Sequence, residues 1–223
     1  MKTAIVTGAS SGVGRAVAER LTAKGWSVTG FARHPAAGTA FPLVEVDVRD
    51  PVRVRAAVAA VGEARGTIDL LVNNAAVFRM QRFEEFDVAD LDAIVDTNLK
   101  GTLYCTHAAL AWLKSGSRIV NIGSVAGTHG IANQAVYCAS KYGVDGFSEA
   151  LAQELQPRGI HVTVIAPGGI ETPLWQPTTN PYPGPPGKIL EVGDVAGLVE
   201  YVAELPPHVV FKKAILFPSN EWH

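Results

Sequence analysis

The chain has 223 residues, 48% of them hydrophobic and 18% charged, with a net charge of −2. That balance belongs to a globular protein able to bury a substantial core, and it excludes intrinsic disorder. Lys and Arg are scattered along the chain, which excludes a nucleic-acid footprint and a polybasic membrane patch.

Short β-branched runs alternate with longer Ala-rich segments of helical period. "TAIVT" (3–7) predicts a buried strand, followed by a helix from Gly12 to about Lys24. "WSVTGFA" (26–32) and "PLVEVDV" (42–48) are the next strands, then "VRVRAAVAAVGEA" (52–64) sets its apolar residues on one helical stripe. "IDLLVNNA" (68–75) is a strand, and a long helical stretch runs from about Asp87 to Lys114. "RIVNIGS" (118–124) is a strand, "AVYCASKYGVDGFSEALAQEL" (135–155) a helix and "IHVTVIAP" (160–167) a strand. "GDVAGLVEYVAEL" (193–205) and "KAILFP" (213–218) close the pattern as a helix and a last strand.

Near-continuous apolar strands separated by helices predict an α/β fold with a parallel sheet covered on both faces. Right-handed crossovers then favour a doubly wound sheet of about seven strands in a single domain spanning 1–223. No linker or internal repeat interrupts it. The one shift in composition is "ETPLWQPTTNPYPGPPG" (171–187), which holds six of the fourteen prolines. Such a stretch fits neither a central strand nor a helix interior, and its length suggests a functional loop.

Metal and membrane chemistry have no support. Cys105 and Cys138 lie far apart outside CxxC spacing, and the six histidines form no HxxxH or HExxH pattern. Neither a disulfide framework nor a metal site is expected. No run reaches the ~18 apolar residues of a membrane span, and "MKTAIVTGAS" is too short for a signal-peptide core. The expectation is a cytoplasmic protein with reduced cysteines.

The chemistry gathers at strand ends. The first strand runs into "TGASSGVG", whose Gly8, Gly12 and Gly14 turn the backbone tightly and open a helix. Exposed N–H groups there, with the positive end of the helix dipole, favour a diphosphate. By itself the glycine triplet is weak evidence, since a tight strand-to-helix turn without a ligand is the alternative. However, Asp47 and Val48 end the third strand, "NNAA" (73–76) the fourth, Ser124 the fifth and "PGGIETP" (167–173) the sixth. Ligands of open α/β sheets bind outside the carboxyl ends of the strands, where strand order reverses. "YCASK" (137–141) adds a phenol and an ammonium four residues apart, stacked on one helical face.

These elements together resemble the short-chain dehydrogenase/reductase family over about residues 3–173, carried by "TGASSGVG", "DV", "NNAA", "TNLKG", the serine of "NIGS", "YCASK" and "PGGIETP". The resemblance implies a Rossmann-type fold and a catalytic tetrad of Asn98, Ser124, Tyr137 and Lys141. It also implies Gly8, Ser10, Gly12, Val13, Asp47, Val48, Asn74, Ala75, Ile170 and Thr172 around a dinucleotide. Ser11, Ala76, Pro167 and Gly168 join them from the same motifs, as do Tyr137 and Lys141 from the tetrad. The chain departs from the family at Ala76, the fourth residue of "NNAA", and lacks a C-terminal "DGG".

The implied activity is interconversion of a carbonyl and an alcohol on a small molecule. Phenols titrate near ~10, and lowering one by ~3 units takes roughly 4 kcal/mol. One cation at ~4 Å in an effective dielectric of ~20 supplies about that much. Lys141 is the candidate cation, while Ser124 is placed to orient the substrate oxygen. Asn98 offers an amide or a freed backbone carbonyl to a proton relay. The alternative, a catalytically silent protein that senses a dinucleotide, would be free to lose the tyrosine or the lysine, and both are present. Ala76, Val77, Phe78, Val125, His129, Leu174 and Trp175 are expected to face a neutral or weakly polar substrate.

NADP(H) is expected in preference to NAD(H). Folds that choose NAD place an acid at the end of the second strand. Here Ala32 stands at that position, followed by Arg33, and no Asp or Glu occurs between Gly25 and Glu45. The guanidinium fork of Arg33 suits a phosphate, with Ser10 as a second contact. A homodimer or homotetramer is expected through the helices at 87–114 and 135–155, the second carrying Phe147 and Leu151. Residues 171–187 are expected to form a lid.

Overall fold

The run "TAIVT" forms strand β1 (Thr3–Thr7), buried at all five positions, in a computed structural model describing residues 1–175, 182, 184 and 189–220. Its side chains alternate between two cores. Ala4 and Val6 enter one apolar cluster, and Ile5 enters the other. Leu70 and Val72 against Leu71, and Val120 against Ile119, divide the same way. Side chains on a strand point alternately to opposite faces, so apolar residues at every position require cover on both sides.

In chain order the elements are β1, α1 (Gly12–Ala23), β2 (Ser27–Ala32), β3 (Leu43–Glu45), α2 (Pro51–Arg65) and β4 (Leu70–Asn73). There follow α3 (Val88–Val95), α4 (Gly101–Ala109), β5 (Arg118–Ile122), α5 (Ala135–Leu155), β6 (His161–Pro167), α6 (Val192–Glu204) and β7 (Lys213–Leu216). The seven strands lie in the order β3-β2-β1-β4-β5-β6-β7, and every pair is parallel. Helices α1 and α6 supply Val17, Leu21, Val195 and Val199 to one face. The opposite face receives Val54 and Val58 from α2, Cys105 from α4, and Leu151 and Leu155 from α5. The chain leaves β1 in one direction for β2 and β3 and returns to the other side for β4, so the sheet's switch point lies between β1 and β4.

Local chemistry sets the helix limits. Asp50 caps α2 by accepting from the Val52 and Arg53 N–H groups, Pro51 opens the first turn, and Gly66 ends it at φ 75°. The stretch from Asp87 to Lys114 is not one helix. It is α3, capped by Asp87, then a wide π-helical turn at Asp96–Lys100, then α4. Strand β3 is also shorter than the run 42–48, because Asp47 turns the chain: its carbonyl accepts from Asp50 N–H at 3.0 Å. Leu151, expected to face a partner subunit, is instead buried in the core with Phe147 packed against it, while Tyr142 is the large exposed residue of α5.

Arg118, the first residue of β5, has no counterpart in the expectations. It is 3% exposed, yet carries a charge. Its guanidinium donates to the carbonyls of Leu205 and Pro206 at 2.9 Å each and of Val209 at 3.2 Å. These carbonyls lie just past the end of α6, so the arginine closes that helix and holds the connection that leads to β7. No helix among the described residues is long and apolar enough to cross a membrane. Arg118→Met strands these acceptors and is expected to cost roughly 2–4 kcal/mol, seen in urea unfolding as a lower midpoint with an unchanged slope.

Candidate active site

The crevice at the switch point is built by hydrogen bonds between the ends of β1 and β4. The Thr7 hydroxyl accepts from the Asn74 and Ala75 N–H groups at 2.9 and 3.0 Å. The Asn74 amide in turn donates to the carbonyls of Thr7 and Gly8 at 3.0 and 3.3 Å. Gly8 turns the chain at φ 66°. Gly14, in the first turn of α1, sits so close that an added Cβ would lie 2.3 Å from the Gly8 oxygen and 2.4 Å from Asn74 Nδ2. Only glycine allows this packing. Helix α1 has no acid in its first turn, and Ser11 makes no side-chain cap bond, so its N–H groups and positive dipole end remain available to an anion.

A cavity of about 400 Å³ runs along these strand ends. Ser10, Ser11, Gly12, Val13, Asn74, Ala75 and Ala76 line it at the glycine loop, and Arg33, Asp47 and Val48 line it beyond β2 and β3. Tyr137, Lys141, Pro167, Ile170 and Thr172 line the other end, together with Ser124. Gly168 does not line the cavity: its N–H donates to the Leu216 carbonyl at 2.8 Å, back toward β7. The form of the cavity and its donors fit a dinucleotide whose diphosphate lies at the start of α1. His34 lines it as well and was not anticipated.

Beyond β2 the charges are paired. Asp47 meets Arg49 at 2.6 Å. The Arg49 guanidinium beside it holds the Asp47 carboxyl below its ordinary range, and the positive charge of Arg33 adds to this. Arg33 follows the end of β2 directly and is exposed at the cavity.

A second cavity of about 440 Å³ opens beside the first, and Ser124, Tyr137 and Leu174 line both. Phe78, Val125, His129 and Trp175 line the second, as expected of residues facing a substrate, whereas Ala76 and Val77 fall on the first. Its wall is aromatic. Phe78 meets Tyr137 edge to face at 4.8 Å between centroids and Trp175 at 5.1 Å. Trp175 is anchored by its indole N–H on the Ile170 carbonyl at 2.8 Å and meets Tyr182 at 5.2 Å. Of the expected lid, only 171–175, Tyr182 and Gly184 are among the described residues; the remainder lies outside them.

Tyr137 and Lys141 are both buried in α5, and Lys141 Nζ lies 5.7 Å from the centre of the phenol ring. The ammonium donates to the Ile122 carbonyl at 2.9 Å. Burial pushes the phenol up to about 12, while the Ser124 hydroxyl beside it pulls the other way. Burial also lowers the lysine to about 8. Desolvation dominates both groups, the direction expected of a buried phenol, against which a neighbouring cation has to act. Ser124 accepts from the Ala126 N–H at 3.1 Å.

Asn98 lies in the π-helical turn and is 1% exposed. Its side chain is bonded at both ends: the oxygen accepts from Val77 N–H at 2.8 Å, and the amide donates to the Val77 carbonyl at 2.9 Å and Ser140 Oγ at 3.1 Å. The backbone carbonyl, the other option left open by the sequence, accepts from Thr102 Oγ1 at 2.9 Å.

The short chain dehydrogenase family model matches residues 2–183. The chain is 35% identical to 3-oxoacyl-acyl-carrier-protein reductase FabG of Vibrio cholerae, over 91% of this chain and 89% of that one. It superimposes with a TM-score of 0.86 on a short chain dehydrogenase from Burkholderia cenocepacia in complex with NADP, at 32% identity over 96% of each chain. For serine dehydrogenase from Escherichia coli the TM-score is 0.84, at 29% identity over 99% of this chain and 100% of the other. With a parallel seven-stranded sheet and a glycine loop at its switch point, the chain belongs to the short-chain dehydrogenase family, oxidoreductases that use a nicotinamide dinucleotide.

Proposed function

We propose that this protein is an NADPH-dependent reductase of ketones or aldehydes in which Asn98, Ser124, Tyr137 and Lys141 act together. The observation that carries the reading is the position of Ser124 and Tyr137, the polar residues shared by the dinucleotide-shaped cavity and the aromatic-walled one. A carbonyl at that junction meets both hydroxyls. When bound, the nicotinamide supplies a hydride.

Tyr137 donates the proton. A buried phenol pushed up to about 12 keeps its hydrogen at neutral pH, which suits delivery to a carbonyl oxygen as negative charge develops there. Lys141, lowered to about 8, is still mostly protonated at pH 7, and its charge favours the phenolate left behind. Ser124 donates to the same carbonyl oxygen and orients it. The carbonyl of Asn98, held by the π-helical turn, continues the path along which the proton is replaced. The likeness to 3-oxoacyl reductases supports reduction as the direction.

The phosphate-bearing cofactor is supported by Arg33 beside the cavity, by Ala32 in place of an acid at the end of β2, and by the neutralisation of Asp47 by Arg49. The likeness to an NADP complex agrees. To the same proposal belong a homodimer or homotetramer, a cytoplasmic setting for the two free, buried cysteines, and a cover formed by 171–187. The exposed Tyr142 of α5 supports the first, and the contact of Trp175 with Tyr182 supports the last.

Tyr137→Phe removes only the hydroxyl and is expected to lower kcat roughly 10²–10⁴-fold. NADPH binding, followed by fluorescence titration, should stay close to that of the unaltered protein. Near-normal turnover in this variant would assign the proton to another group. For the cofactor, kcat/KM with NADPH is expected to exceed that with NADH roughly 10- to 150-fold, the worth of one charge-assisted contact. Ala32→Asp combined with Arg33→Ser should reverse the order, and equal values in the unaltered protein would refute the assignment.

A further inference from the structure

Among the described residues, Gln134 is a polar group of the substrate-side cavity that neither the tetrad nor the fold uses. Gln134 immediately precedes α5 and is 4% exposed. Its backbone is occupied on both sides: the N–H donates to the Ile131 carbonyl at 3.2 Å, and the carbonyl accepts from Cys138 N–H at 2.8 Å. Its carboxamide makes no cap bond to the helix and no hydrogen bond to any described residue. Gln134 lines the cavity with Tyr137.

Three local costs coincide at this position. A helix start favours Ser, Thr, Asp or Asn, whose short side chains reach the free N–H groups, and glutamine forgoes that bond. Ordering a long amide side chain against the cavity costs rotamer freedom, and here no hydrogen bond from the described residues offsets it. The preceding Asn133 is also held at φ 65°, the one non-glycine among the described residues in that region, with its carbonyl accepting from Gln81 N–H at 2.9 Å. Local rules broken without a structural return mark functional positions.

Resting on the reductase reading above, we propose that Gln134 is a specificity-determining residue that binds a second oxygen of the substrate. Positions three apart on a helix share one face, with Cβ atoms about 5–6 Å apart. Gln134 and Tyr137 therefore present two hydrogen-bonding groups to one bound molecule. The amide supplies two donors and an acceptor. The matching substrates are carbonyl compounds with a further carbonyl, ester or hydroxyl oxygen two or three atoms from the reacting carbon. Their remaining surface is apolar, to suit Phe78, Leu174 and Trp175.

The test compares ethyl 3-oxobutanoate with 2-heptanone, which lacks the second polar group, with NADPH and with NADH. Gln134→Met conserves shape and removes the amide. Gln134→Ser restores a helix cap and cannot reach the cavity, so it keeps the fold if Met does not. The unaltered protein should prefer the oxo ester in kcat/KM by roughly tenfold or more. Both variants should bring that ratio near one through loss on the ester, with a melting temperature equal to or above that of the unaltered protein.

Equal losses on both compounds, or a lower melting temperature in both variants, would make Gln134 structural and overturn the proposal. So would an undiminished preference for the ester. Absence of turnover of either compound by the unaltered protein, with both cofactors, would instead remove the reductase reading and the proposal with it.

Discussion

The molecule is organised around the tie between the ends of β1 and β4. One hydroxyl, on Thr7, accepts two backbone N–H groups from the neighbouring strand end and donates to a third group, the Val72 carbonyl, at 3.4 Å. The amide of Asn74 completes the tie from the other side. Parallel strands diverge at their carboxyl ends wherever the chain turns away in opposite directions, leaving backbone groups without sheet partners. At this switch point those groups are met by side chains, and the meeting shapes the crevice. The glycine loop and the approach of α1 follow from it, since Gly14 packs on the atoms that form the tie.

A buried polar network extends this order into the core. Asn73 donates to Thr106 Oγ1 at 2.9 Å and to Asn121 Oδ1 at 2.8 Å, and Asn121 donates to Ser148 Oγ at 2.8 Å. Four elements, β4, β5, α4 and α5, are thereby held in register by directional bonds as well as by apolar contact. Such networks specify one arrangement where packing alone tolerates several. Here the arrangement sets α5, and with it Tyr137 and Lys141, against the end of β5 that carries Ser124. Gly127 allows the final approach, because a Cβ there would lie 2.8 Å from the Lys141 carbonyl.

The electrostatics of the site come from that burial. A phenol and an ammonium removed from water are both pushed toward their neutral forms, and each is closer to its neutral state than in solution. A site of this kind holds protons on the tyrosine and releases them only when negative charge or another cation arrives to compensate. Bound groups, not the protein alone, complete its electrostatic balance.

Much of this was legible in the sequence because it depends on local patterning. Strands buried on both faces read as continuous apolar runs, α2 is announced by Asp50, Pro51 and Gly66, and α5 runs over the predicted 135–155. The glycine loop, "NNAA" and "YCASK" placed the crevice at the right edge of the sheet, since order along the chain and parallel pairing leave few topologies. Other features depend on partners far away in the chain. The π-helical turn at Asn98 exists because its side chain is bound to the backbone of Val77, twenty-one residues earlier. Arg118 reads as a surface charge until the carbonyls of 205–209 enclose it. Leu151 satisfies a helical stripe equally well facing a partner or the core, and packing chose the core. Helical period and turn chemistry act over a few residues, so sequence alone determined most of the elements, their order and the residues that line the crevice. Burial, hydrogen-bond completion and the resulting proton affinities arise only when distant segments exclude water together, and the tertiary structure alone decided them.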